Sequence, residues 1–152
     1  MKLAEALFLR ADYQKRLDQL KQRLLRNARV QEGETPAEDP IELQSQFEQL
    51  AEQLTILIQR INRTNSAILL DPTLTLSDAL AVRDSLKQRQ QLLRDLAQAA
   101  TISQERYSKS EIKIKSAVNV SDVQQRADQL AQEHRLLDAR IQEANWRTEL
   151  LA

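Results

Sequence analysis

Two clusters of arginine and asparagine are the side chains in this sequence best suited to binding a small ligand. Arg26 and Asn27 form the first cluster, and Asn62, Arg63 and Asn65 form the second. Such side chains can hold an anion. Near the C-terminus of a helix, however, arginine stabilises the negative end of the helix dipole, and asparagine caps the chain or fixes register. The pattern favours this structural role and leaves ligand binding as the alternative.

His134 is the only histidine of the chain. Its place on the inward-facing side of a predicted helix favours a core residue with a hydrogen-bond partner over a ligand or proton-transfer role, although it is kept as a candidate binding residue. A di-iron site in a helical bundle needs Glu-x-x-His pairs, and the residue three before His134 is Ala131. The sequence therefore predicts no metal site.

The common catalytic frameworks are absent from the sequence. The chain has no cysteine and a single glycine, so it contains neither a thiolate nucleophile nor a glycine-rich phosphate loop. It also lacks a Gly-x-Ser-x-Gly turn and a His-Glu-x-x-His motif. These observations predict no catalytic residue and no cofactor, and they favour a non-enzymatic protein.

A small basic patch at Lys109, Lys113 and Lys115, with Tyr107 beside it, is the sequence's weak signal for nucleic acid. The 22 basic and 22 acidic side chains of the whole chain cancel, which removes the long-range attraction used by nucleic-acid and anionic-membrane binders. A solvated surface is favoured, and no nucleic-acid partner is predicted.

The elements that must position these residues are helices. Apolar residues recur at spacings of three and four, and the stretch from Leu43 to Thr64 keeps a strict heptad typical of coiled coils. One glycine and three prolines in 152 residues leave few interruptions. The spacing predicts long helices over residues 2–28, 40–65, 76–100 and 121–147.

Local signals mark where these helices begin. Asp39 before Pro40 is a favourable N-cap followed by a first-turn proline. The sequence Thr75-Leu76-Ser77-Asp78 resembles a capping box, and Ser121-Asp122-Val123-Gln124 is a second one. Near the end of the last helix, Trp146 is expected to plug the bundle end or to join a subunit contact.

Two segments alternate or turn in the manner of β structure. Residues 110–118 place Ile112, Ile114 and Val118 on one side, which predicts a strand, and residues 68–74 around Pro72 read as a loop or small hairpin. A lone strand needs a partner, either in residues 68–74 or in another subunit. We therefore expect a mainly all-α protein, an antiparallel bundle of four long helices with a small β-hairpin or strand insertion, in one domain over residues 1–152.

The start of the sequence does not read as an export signal, because Glu5, Arg10 and Asp12 interrupt its apolar residues. No later window approaches the apolar length that a membrane span needs. Together with the lack of cysteine, this predicts a cytoplasmic protein without a membrane span.

Short stretches along nearly the whole chain carry a resemblance. They include INRTN at 61–65 and IQEANW at 141–146, together with residues 1–7, 9–12, 24–28, 31–34, 38–40, 106–108 and 110–112. These stretches resemble the septicolysin-like family of bacterial proteins. The resemblance implies no established activity or binding residue, and the family name implies a cell-lysing, membrane-active protein.

Three functional hypotheses follow. The favoured one is a cytoplasmic, non-enzymatic helical bundle that forms a homo-oligomer and acts as a scaffold or a partner-binding module. It is favoured because the apolar faces of the predicted helices are long and regular and the predicted strand is unpaired. The second is a ligand-binding protein or enzyme that uses the arginine and asparagine clusters. The third, which rests on the resemblance, is a membrane-active protein.

Overall fold

The computed structural model describes residues 1–102 and 112–152, and in these residues the fold is mainly helical. Four helices and a two-stranded antiparallel hairpin follow one another as α1 (Leu3–Arg26), α2 (Pro40–Ala67), β1 (Leu69–Asp71), β2 (Leu74–Thr75), α3 (Leu76–Ala100) and α4 (Val120–Arg147). The predicted fold class, with a hairpin inserted between helices, is confirmed. The predicted helix ends lie within two residues of the observed ones.

Helices α1 and α2 pack against each other because each presents an apolar stripe. Leu20 from α1 lies in a buried cluster with Leu43 and Leu50 from α2. Four partly buried side chains pack against this cluster, namely Tyr13, Leu17, Leu24 and Phe47. The heptad spacing thus produces the coiled-coil type of contact that it predicts.

Capping residues fix the helix starts, largely as expected. The Asp39 carboxylate accepts a hydrogen bond from the backbone N–H of Ile41 at 3.0 Å, with Pro40 in the first helical position. The Thr75 hydroxyl accepts one from the N–H of Asp78 at 3.0 Å. The predicted box at residues 121–124 is displaced: Asn119 accepts from the N–H of Asp122 at 3.1 Å, and α4 begins at Val120. Asparagine is as good an N-cap as serine, so α4 begins one residue before the predicted start at residue 121.

The strand predicted over residues 110–118 is not formed by its described part. Residues 112–118 adopt bends and irregular structure, and residues 110 and 111 lie outside the described chain, as do Tyr107 and Lys109. Ile112 and Ile114 are each 81% exposed. Alternation of apolar and polar residues is not enough to predict a strand, because a strand forms only where a second strand satisfies its backbone groups.

The hairpin strands instead pair with each other across Asp71-Pro72-Thr73. The Asp71 carboxylate accepts hydrogen bonds from the Thr73 N–H at 3.0 Å and from the Thr73 hydroxyl at 3.2 Å, which closes the turn. Arg140 on α4 donates to the Leu70 carbonyl and to Asp71, both at 3.4 Å. These bonds hold the short hairpin in place.

The chain divides into two compact units. The first comprises Met1–Leu69 and Gln142–Ala152, and it buries Leu3, Ile61 and Thr64 almost completely. The second comprises Leu70–Ile141, with Leu76 and Leu130 among its buried residues. Helix α4 supplies residues to both units. The single domain over residues 1–152 stays a prediction.

An ion pair joins α3 to α4 within the second unit. The Arg83 guanidinium donates to the Asp138 carboxylate at 2.8 Å, and both side chains are partly buried. Arg83 lies near the start of α3 and Asp138 lies in the second half of α4. The pair is therefore a cross-link between the two helices of this unit.

Leu137→Ala should lower the free energy of unfolding by about 2–5 kcal/mol, because it removes buried methyl groups and leaves a cavity. Leu137 is 9% exposed, whereas its neighbour Leu136 is 63% exposed, which makes Leu136→Ala a matched control on the same helix. We expect the control to change the free energy of unfolding by less than about 0.5 kcal/mol in urea denaturation. Equal losses for the two variants would contradict the assigned inward face of α4.

Candidate functional site

The first predicted cluster is used to close the α1–α2 connection. The Asn27 side-chain amide donates to the Arg23 carbonyl at 2.8 Å, and its oxygen accepts from the Glu38 N–H at 3.1 Å. Asn27 is the C-cap of α1, and Arg26 is exposed beside it. Asn27 therefore has the structural role that the sequence favoured.

Arg23 and Glu38 form a charged pair across the same connection. The Arg23 Nε donates to Glu38 Oε2 at 3.1 Å, and a second guanidinium nitrogen donates to Oε1. The hydrogen bond from Arg23 lowers the pKa of the Glu38 carboxyl below its ordinary value, and the same bond raises the pKa of Arg23. Sequence reasoning did not identify this pair, because the two residues are joined only when the connection folds back.

The second predicted cluster lies at the other end of the α1–α2 pair. Asn62 and Arg63 are exposed, and Asn65 is half-buried, in the last turns of α2. Pro40 and Asn62 are about 33 Å apart along this helix. The two clusters are therefore separated, as their predicted positions at opposite ends of an antiparallel pair require.

His134 is half-buried near the middle of α4 and belongs to the second unit, whereas both clusters belong to the first. The structure thus does not gather the six predicted binding residues into one site. Their role in ligand binding stays a prediction.

Two of the open grooves on the described surface lie beside α1 and α3, and neither is lined by these six residues. One runs between α1 and α2 and is lined mainly by Arg16, Arg23 and four glutamines. Arg23 is already paired with Glu38, and Arg16 lies 3.8 Å from Asp12, so both cations have acidic neighbours. The other groove is apolar and lies between the end of α3 and residues 112–118.

An exposed aromatic pair in the first unit is the most conspicuous surface feature. The rings of Phe8 on α1 and Trp146 on α4 have centroids 6.2 Å apart and an interplanar angle of 49°. Phe8 is 66% exposed and Trp146 is 54% exposed. We call Phe8 and Trp146 the aromatic surface. Large aromatic side chains left in water are typical anchors of protein–protein contacts.

Backbone pairing holds the two halves of the aromatic surface together. The Leu3 N–H donates to the Thr148 carbonyl, and the Leu150 N–H donates to the Met1 carbonyl, each at 2.9 Å. Lys2 and Glu149 form an antiparallel bridge between these bonds. We call residues 1–3 and 148–150 the clasp. It joins the start of α1 to the chain just after α4, and so fixes Phe8 beside Trp146.

Polar side chains reinforce the clasp. Lys2 Nζ lies 2.5 Å from a Glu149 carboxylate oxygen and donates to the Arg147 carbonyl at 3.3 Å. The hydrogen bond from Lys2 lowers the pKa of the Glu149 carboxyl.

The end of α2 also contacts this part of the chain. Thr64 is fully buried; its hydroxyl donates to the Arg60 carbonyl at 2.8 Å and accepts from the Leu151 N–H at 3.0 Å. Arg60 Nε donates to the Leu151 carbonyl at 2.9 Å. Arg60 and Thr64 thus bind the segment that follows the clasp.

Sequence reasoning recognised Trp146 but missed its partner. Phe8 falls between the inward-facing positions Ala6 and Leu9 of the predicted stripe, so the periodicity assigns it no function. The available signal was a large aromatic side chain on the outward side of an amphipathic helix. Trp146 is more than half exposed and so does not plug the interior.

The described residues also bear on metal and membrane sites. Among residues 1–102 and 112–152, no group of three or more histidine, cysteine or acidic side chains is arranged to hold a metal ion. In the same residues, every helix is too short or too polar to cross a bilayer.

Residues 10–150 match a family of unknown function, DUF6847. The chain belongs to this family. A crystal structure of a functionally unknown conserved protein from Corynebacterium diphtheriae is 46% identical in sequence and covers 99% of both chains, with a TM-score of 0.94. No curated protein matches the sequence. The similarity extends over nearly the full chain and concerns proteins without an assigned activity.

The resemblance to the septicolysin-like family is wrong, since the match over residues 10–150 is to the DUF6847 family. Two of the stretches that suggested it, residues 61–65 and 141–146, are short pieces of helices. Polar and apolar residues recur in such pieces because helices impose the same spacing on unrelated chains. The membrane-active hypothesis rested on this resemblance and loses its basis.

The pH dependence of stability should report the two charged pairs. The folded-state pKa values of Glu38 and Glu149 are lowered, so their contribution is present above the unfolded pKa of about 4.3 and is lost as pH falls through the folded value. We expect the urea midpoint to fall on acidification below about pH 4.3, and to fall less for Glu38→Gln or Glu149→Gln.

Glu32→Gln is the matched control for this experiment, since Glu32 is an exposed glutamate in the same connection as Glu38. Its acid-side slope should equal that of the wild type. If the two test variants also kept the wild-type slope in urea titrations across this pH range, the assigned pairs would not hold in solution.

Proposed function

We propose that this protein is a non-enzymatic, cytoplasmic helical protein that acts through protein–protein contact and assembles with copies of itself. The observation that supports this most is the aromatic surface, with both rings more than half exposed and fixed against each other. A chain with 3% aromatic residues that places two of them in solvent has left an apolar anchor available for a partner.

The energetics favour covering this surface. A buried aromatic side chain removes about 150–250 Å² from water, and at about 25 cal/mol per Å² the exposed part of each side chain offers roughly 2–4 kcal/mol. A stable interface buries about 800 Å² per partner, so neighbouring parts of α1 and α4 must join the contact. The aromatic surface then acts as its centre.

Rigidity of the surface lowers the cost of binding. The clasp bonds at 2.9 Å fix the chain before Phe8 and after Trp146, so little conformational freedom remains to be lost on association. The unpaired strand that suggested assembly from the sequence is not found in residues 112–118. The aromatic surface replaces it as the support for self-association.

The polar residues support binding more than catalysis. Asn27 is engaged in capping α1, Arg23 is engaged by Glu38, and Arg83 is engaged by Asp138. These side chains stabilise helix ends and helix contacts. Such structural roles are what we expect of the polar side chains in a helical partner-binding module.

Multi-angle light scattering of the wild type should give a mass clearly above the 17.5 kDa of one chain. Phe8→Gln and Trp146→Gln should each shift the mass towards 17.5 kDa, because they remove the apolar anchor without opening a cavity in the core. Circular dichroism of both variants should retain the wild-type helix content.

Leu25→Gln is the control for this experiment, because Leu25 is 60% exposed on the same helix as Phe8. It should leave the mass unchanged. A wild type that stays monomeric at high micromolar concentration would refute self-association, and assemblies unaffected by both aromatic variants would place the contact elsewhere.

A further inference from the structure

We infer that two copies of this chain meet at the aromatic surface across a two-fold axis, with Arg147 of each copy facing Glu143 of the other. This inference rests on the proposed function and specifies its partner. It is carried by the charges that flank Trp146 on α4.

Trp146 and Arg147 follow Glu143 on α4 by three and four positions, so both border Glu143 on the helix surface. Arg147 donates to Glu143 within the chain, with 2.7 Å between nitrogen and oxygen, and their side chains are 78% and 54% exposed. An exposed pair of this kind contributes little to the stability of one chain. The two groups are therefore free to exchange partners with an opposite charge on a second surface.

A two-fold contact has a specific requirement, which this surface meets. Each copy presents the same patch, so the patch must be complementary to itself and residue i must meet residue j in both directions. A patch with one acid and one base beside an apolar anchor satisfies this condition when α4 meets its copy antiparallel. The clasp lies nearby, and there Lys2 and the Met1 ammonium both pair with Glu149.

Other occupants fit this surface less well. An anionic bilayer or a nucleic acid selects a surplus of positive charge, whereas the Glu143–Arg147 pair beside Trp146 is balanced in sign. A partner of strong net charge would be repelled by half of the patch. A second copy offers an acid for the base and a base for the acid of the Glu143–Arg147 pair.

Charge reversal tests the arrangement. Glu143→Arg gives a patch with two bases, and Arg147→Glu gives a patch with two acids. Each variant alone should associate at least about tenfold more weakly than the wild type, because like charges then face each other across the axis. An equimolar mixture of the two variants should regain the wild-type affinity, since each acidic patch then meets a basic one.

The double variant with both reversals in one chain should also regain the wild-type mass, because it restores one acid and one base per patch. The matched control reverses Arg126 and Glu133 in separate chains, a second exposed pair of α4 at 3.9 Å. These control variants should associate as the wild type does. All variants change exposed residues, and circular dichroism and thermal unfolding verify their folding.

The outcomes separate this inference from the proposed function. A monomeric wild type overturns both. Wild-type assembly that depends on Phe8 and Trp146 but is insensitive to both charge reversals overturns the two-fold arrangement and leaves the aromatic contact standing. Weakening by each reversal without recovery in the mixture also overturns it, whereas recovery in the mixture and in the double variant supports it.

Discussion

The clasp is the constraint on which the arrangement of the first unit depends. Two backbone hydrogen bonds of 2.9 Å join residues that are nearly the whole chain apart, and Thr64 on α2 binds the segment that follows. Three helix ends are thereby tied together, because α1 begins, α2 finishes and α4 finishes at this point. The aromatic surface owes its position to these bonds, since neither α1 nor α4 alone sets Phe8 against Trp146.

Several charged and amide side chains in this protein secure chain connections. Asn27, Arg23 and Glu38 close the connection between α1 and α2, while Arg140 and Asp71 hold the short hairpin. Each group satisfies backbone polar atoms or a nearby charge that would otherwise be exposed at a helix end or turn. Residue types that suggest a ligand site can therefore be required by the fold alone.

The family match assigns no activity, so the proposed function rests on the surface of the protein. The match to DUF6847 and the full-length similarity to the Corynebacterium diphtheriae protein place this helical arrangement in proteins without an assigned activity. The self-association that we propose at Phe8 and Trp146 needs only a rigid pair of helices, and the Glu143–Arg147 pair beside Trp146 is the charge pattern that we propose a second copy matches.

The sequence by itself determined the helices, because heptad spacing and caps such as Asp39 and Thr75 act within a few residues. It also located Trp146 as a contact candidate. Only the tertiary structure decided that residues 112–118 form no strand and that Phe8 is the partner of Trp146. Strand pairing, the clasp and side-chain exposure depend on residues distant along the chain, and local periodicity contains no information about which distant segments meet.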